Sequence, residues 1–174
     1  KIFPKHKGFL WFNNQLSSSI SVKDSAGSLY PSLSRRNDGS NVLSPNERSF
    51  SIEFQMHPHT SYTYDQVIAQ KLSSLGDSGF TVYLSQHPTV PNQAEVNFII
   101  SSGSQNFVSA SAPILKGNWN HISCVYNKKD NANVAQIIIS GSDVYRSDDS
   151  FHFGDMDFET SPLIATQLCN LFLA

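Results

Sequence analysis

The sequence predicts an all-β domain built as a two-sheet antiparallel β-sandwich of the jelly-roll kind. Apolar residues recur at every second position in run after run. Clusters of Gly, Pro, Asn, Asp and Ser separate those runs. No segment carries a sustained helical period, and about a dozen short strands in one chain must stack in two layers to bury their apolar sides.

The elements follow in order. Candidate strands at 8–12, 18–23 and 28–33 open the chain. In "SFSIEFQMH", Phe50, Ile52, Phe54 and Met56 share one face, and Ser51, Glu53, Gln55 and His57 share the other. The segment "YDQVIAQKLSSL" could place Val67, Ile68 and Leu72 on a helical face, but β-branched content and nearby glycines favour a strand over 65–71. In "GFTVYLS", Phe80, Val82 and Leu84 oppose Thr81 and Tyr83. In "AEVNFIIS", Ala94, Val96, Phe98 and Ile100 alternate with Glu95, Asn97 and Ile99. Strands are also expected at 106–112, 118–127, 133–140, 142–146 and 163–173. Turns are expected at Asn37-Asp38-Gly39, Ser44-Pro45-Asn46, Gly76-Asp77-Ser78-Gly79, Ser102-Gly103-Ser104, Lys116-Gly117-Asn118 and Ser140-Gly141-Ser142.

Composition narrows the function classes. The 174 residues suit one domain over 1–174. A net charge of −2 offers no basic field for nucleic acid or an anionic membrane. No apolar run is long enough to span a bilayer. A chain that opens on Lys1 reads as a processed or excised piece of something larger. The absence of an Asn-x-Ser/Thr sequon disfavours a eukaryotic glycoprotein and suits a bacterial, phage or viral source. Cys124 and Cys169 each sit in an apolar strand pattern, which reads as two buried free thiols, with a single disulfide as the alternative.

The order of the pieces resembles a known family. "SFSIEFQMHP" resembles the strand of concanavalin A-like, laminin G-like domains that reads Phe-Thr-Ile-Glu-Phe-Trp-Val-Lys-Pro. "VIAQK" and "SGFTVYLS" resemble the next two strands, and "SAPILKGNWNHISCVYN" resembles the family's Leu-x-x-Gly-x-Trp-x-His-Val-Ala-Val-Val-Tyr-Asp signature. "AQIIISGSDV" looks like its Leu-Tyr-Val-Asp-Gly strand and turn, "FHFGD" like its Ile-Gly strand, and "IATQLCNLFLA" like its closing strand. The ordered match covers residues 49–173. It implies a central strand from Trp119, with Ile122, Cys124 and Tyr126 on one face and His121, Ser123 and Val125 on the other.

The same superfold houses glucanases, whose retaining chemistry needs two carboxyl groups about 5–5.5 Å apart. "SIEFQM" offers Glu53-x-Gln55 and "AEVNF" offers Glu95-x-Asn97, a single carboxylate each. Asp155, Asp157 and Glu159 have i, i+2, i+4 spacing but fall where a loop is expected. With Asp148 and Asp149 they could supply oxygen ligands to calcium, which loops of such domains often hold. His57 and His59 form a His-x-His that Pro58 interrupts, so two exposed turn histidines are expected. Cys124 and His121 fall on opposite faces, too far apart for a dyad.

Carbohydrate recognition needs aromatic faces and planar amides or carboxylates that fork onto hydroxyl pairs. Tyr62, Tyr64, Tyr83 and Tyr145, with Glu53, Gln55, Glu95 and Asn97, could line such a groove. The sequence therefore predicts a non-catalytic module, not an enzyme, that binds glycan or a protein surface outside a cell or on a virion or phage particle. A structural capsid or tail domain that packs against copies of itself is one alternative, and a glycoside hydrolase with an unrecognised acid pair is another.

Overall fold

The computed structural model describes residues 10–11, 19–22, 49–61, 63, 65–72, 78–102, 107–129, 132–141, 143–149, 163–166 and 169–173. For the first two and last two of these segments it describes backbone pairing only.

The described strands are β1 (Leu10–Trp11), β2 (Ser19–Val22), β3 (Phe50–Pro58), β4 (Gln66–Leu72), β5 (Ser78–Gln86) and β6 (Gln93–Ser102). They continue with β7 (Phe107–Leu115), β8 (Asn120–Lys129), β9 (Ala132–Ile139), β10 (Asp143–Asp149), β11 (Leu163–Thr166) and β12 (Cys169–Leu173). They form two six-stranded sheets, ordered β1-β12-β3-β8-β9-β10 and β2-β11-β4-β5-β6-β7. Every pairing is antiparallel. The all-β sandwich expected from the alternation is thus the fold.

The core is the set of apolar inner faces. Phe54 and Met56 of β3, Ile122, Cys124 and Tyr126 of β8, and Ala135 and Ile137 of β9 come from the first sheet and are buried. Phe80, Val82 and Leu84 of β5, Ala94, Val96, Phe98 and Ile100 of β6, and Val108, Ala110, Ala112 and Ile114 of β7 come from the second. Phe50 bridges the layers: its ring centroid lies 5.2 Å from Phe80, 6.2 Å from Phe98 and 5.6 Å from Tyr126. A strand with one apolar side gains most by turning that side inward, at about 25 cal/mol per Å² removed from water.

Some local expectations hold and others change. The strand favoured over 65–71 is β4, and the apolar run that mimics a helical face holds a β-bulge: the register with β5 slips between Val67 and Ala69. The extra residue lets Ile68 and Ala69 both be buried in a strand. The expected closing strand over 163–173 is two strands, β11 and β12, which enter opposite sheets. β10 runs to Asp149, so the backbones of Asp148 and Asp149 pair with Val134 and Asn133 in a ladder rather than lie in a loop. Pro58 ends β3 and pairs with Cys169 instead of breaking the strand earlier. His57 is accordingly a half-buried strand residue, and only His59 is an exposed turn histidine, with Nδ1 2.7 Å from Ser61 Oγ. The expected strand at 28–33 lies outside the described residues.

Candidate functional site on the second sheet

The bulge in β4 and strict alternation in β5, β6 and β7 decide which side chains reach the outer face of the second sheet. Phe80, Val82 and Leu84 point inward, so Thr81, Tyr83 and Ser85 point outward. In β6 the outward set is Glu95, Asn97 and Ile99, and in β7 it includes Ser109 and Ser111. The bulge returns Gln70 to this face, directly opposite Thr81. The register then lays Val67, Tyr83, Asn97 and Ser111 in one row across four strands.

Asn97 holds the centre of this row. Its Nδ2 donates to Ser85 Oγ at 2.9 Å and to the Glu95 carbonyl at 3.2 Å, and its Oδ1 accepts from Ser111 Oγ at 2.7 Å. The flanking side chains leave it only 7% exposed although it faces outward. One edge of the tile is closed by Gln70, whose Nε2 donates to Thr81 Oγ1 at 3.1 Å. Buried amides keep one orientation only when each polar atom has a partner. The face is therefore a pre-set array of amide and hydroxyl groups.

Tyr83 brings a phenol into this array. Its phenol is raised above the usual tyrosine range, first by burial and then by the charges of Asp65 and Glu95. Ionisation would bring a third negative charge beside two carboxylates. The phenol stays protonated through neutral pH, the state that donates a hydrogen bond or a proton.

The sequence-derived candidates divide between the two sheets. Tyr83 and Asn97 share the face just described. Glu53 and Gln55 lie on β3 in the first sheet, where Glu53 Oε1 accepts a 3.4 Å hydrogen bond from Ser123 Oγ. The apolar faces of both sheets meet in the core, so the polar faces look in opposite directions and cannot line one groove. Tyr62 and Tyr64 lie outside the described residues. Tyr145, on β10, is packed against the core. Gln70, Thr81, Ser85 and Ser111 were not among the candidates. Alternation alone could have found Thr81 and Ser85, but Gln70 depends on the bulge.

Most of the calcium candidates fall outside the described residues. Asp148 and Asp149 are placed by the backbone of β10, and Asp155, Asp157 and Glu159 lie outside the described residues. Among the described residues no group of three His, Cys, Asp or Glu could hold a metal ion. Cys124 is a buried free thiol, and burial pushes its pKa far above the usual thiol range.

No protein-family model matches the chain, and no curated protein matches it. Similar solved structures include alginate lyases. One from Alteromonas sp. 272 shares 14% identity at a TM-score of 0.45, over 74% of this chain and 56% of that one. One from Klebsiella pneumoniae shares 10% at 0.39, over 71% and 55%. One from Aplysia kurodai shares 8% at 0.37, over 90% and 82%. The chain thus spans a little over half the length of the first two. These names correct the expectation of a non-catalytic recognition module that is not an enzyme: each of these three structures is named for an enzyme. At these identities the likeness is one of fold, and the chemistry of this chain has to be argued from its own residues.

Proposed function

We propose that the chain is a glycan-cleaving domain. A polysaccharide lies across the outer face of the second sheet, and Tyr83 hands a proton to the departing glycosidic oxygen. The observation that carries this reading is the place of the Tyr83 phenol, in one row with Asn97 and Ser111 on a face of ordered amides and hydroxyls; burial and the charges of Asp65 and Glu95 raise its pKa further. A general acid must hold its proton at the working pH and sit among groups that fix the substrate. Gln70, Thr81, Ser85 and Ser111 supply those groups. Asp65 and Glu95 are the nearby carboxylates able to take up a proton from water or substrate as the bond breaks.

The ordered motifs over 49–173 support placing the sandwich in the concanavalin A-like, laminin G-like kind. A polymeric substrate supports work outside the cell or at a particle surface.

The test is a cleavage assay on a panel of neutral and acidic polysaccharides, alginate included. New reducing ends should appear, and absorbance near 235 nm would identify elimination rather than hydrolysis. Tyr83→Phe should abolish turnover while leaving the circular dichroism spectrum unchanged. A panel without cleavage, or a Tyr83→Phe protein that turns over at the parent rate, overturns the proposal.

A further inference from the structure

The outer face of the first sheet carries a second set of groups that the Tyr83 site does not use. β3 and β8 pair with Met56 opposite Asn120 and Gln55 opposite His121. Extending that register by one residue sets His57 against Trp119, and their rings meet edge-on at 5.5 Å and 61°. Next along the same face come Gln55 with His121, then Glu53 with Ser123. Trp119 is 52% exposed despite its size.

We propose that Trp119, with His57, Gln55, His121 and Glu53, forms a saccharide platform that takes a hexose ring of a neutral oligosaccharide. An indole face covers the C–H side of a pyranose, and a planar amide with a carboxylate beside it forks onto the ring hydroxyls. The carboxylate of Glu53 favours hydroxyl donors and repels an anionic sugar. A protein partner would need a contiguous apolar centre. Of the other large exposed apolar residues among those described, Leu115 lies on β7 in the second sheet, and Val144, which shares this outer face, lies two strands from β8 and level with Ser123 rather than beside Trp119.

The platform is held in place before any ligand arrives. Gly117 N donates to the Pro58 carbonyl at 2.8 Å and Lys116 N to that of Asn92 at 3.0 Å. Asn120 Nδ2 donates to the carbonyls of Leu115 at 3.1 Å and Asn118 at 2.8 Å. Gly117 adopts a φ of +73°, and a Cβ there would come within 2.9 Å of Thr60 Cγ2. A ring fixed by its own turn loses little freedom on binding, which favours affinity.

The chain has two tryptophans, Trp11 and Trp119, so its indole N–H resonances are assigned by a single Trp119→Phe variant. The ¹⁵N-labelled protein is titrated with cellohexaose, maltohexaose, laminarihexaose and, as the anionic probe, hexamannuronate. The Trp119 resonance should shift with at least one neutral hexaose. Trp119→Ala should weaken that binding at least about tenfold and Gln55→Ala about threefold. Tyr83→Phe should leave it unchanged, which separates this platform from the Tyr83 site. Thermal melts of Trp119→Ala and Trp119→Phe report whether each variant is folded; Trp119→Phe, which keeps a ring, should retain part of the affinity. The proposal is overturned if no neutral hexaose shifts the resonance up to about 10 mM, if hexamannuronate alone does so, or if folded Trp119→Ala binds like the parent.

Discussion

The phenol of Tyr126 donates a 2.7 Å hydrogen bond to Oδ1 of Asn133, joining neighbouring strands β8 and β9 inside the core. Both residues are buried, and burial pushes the phenol pKa up to about 12. Tyr126→Phe leaves the Asn133 oxygen inside the sandwich without this donor, at a cost of about 1–3 kcal/mol. Urea denaturation should show a lower midpoint with an unchanged slope. The raised pKa also makes the fold alkali-sensitive. The stabilising contribution of the protonated phenol is complete below the unfolded-state pKa of about 10. It is lost as pH rises through the folded value of about 12. Tyr126→Phe should flatten that part of the stability-versus-pH curve.

Asn97→Ala removes three hydrogen bonds from the outer face of the second sheet. Ser111 is exposed and Ser85 half-exposed, so water can replace the lost partner. The cost should be only about 1–2 kcal/mol, or a fall in melting temperature of roughly 2–4 °C per kcal/mol. Activity should fall much further than stability, because the array around Tyr83 loses its centre. Calorimetry and the cleavage assay together check this pairing of effects.

Gly79→Ala should be far more damaging than its surface area suggests. Gly79 has a φ of +135°, and an added Cβ would run into the carbonyl oxygen of Lys71 on the paired strand. That oxygen belongs to backbone and cannot swing aside. A loss of more than about 2 kcal/mol is expected. Amide exchange should show it first in β4 and β5, the strands that meet at this position.

Cys124 should resist thiol reagents in the folded protein. Its side chain is fully buried and its pKa is raised by that burial, so thiolate is scarce and access is blocked. In a Cys169→Ser background, reaction with a disulfide reagent should be at least about a thousandfold slower than in urea, because labelling requires opening of the core. Fast labelling of the native protein would show that β8 is not covered as described.

Much of this architecture was legible one strand at a time. Phe54 and Met56, or Val96 and Phe98, announce an inner face because side chains alternate about a strand. The same rule places His121 and Cys124 on opposite sides of β8. It reads less well where a strand is irregular. Ile68 and Ala69 are both buried only because of the bulge, and a pattern of consecutive buried residues resembles a helix face. Trp119 could be recognised as the start of a strand, but its half-exposed ring depends on its cross-strand neighbour His57 and on the turn that holds it.

By itself the sequence determined that the described fold is all-β, which residues of β3 and β5 to β8 face the core, and that the chain turns at Lys116-Gly117-Asn118 and at Ser140-Gly141, since these depend on neighbours one or two positions away. Only the tertiary structure decided which strands share a sheet. That choice separates Glu53 and Gln55 from Tyr83 and Asn97, and it sends the two halves of 163–173 to opposite layers. The physical reason is that strand pairing is a contact between residues far apart along the chain. Its register is settled by the packing of two whole sheets, which no local pattern encodes.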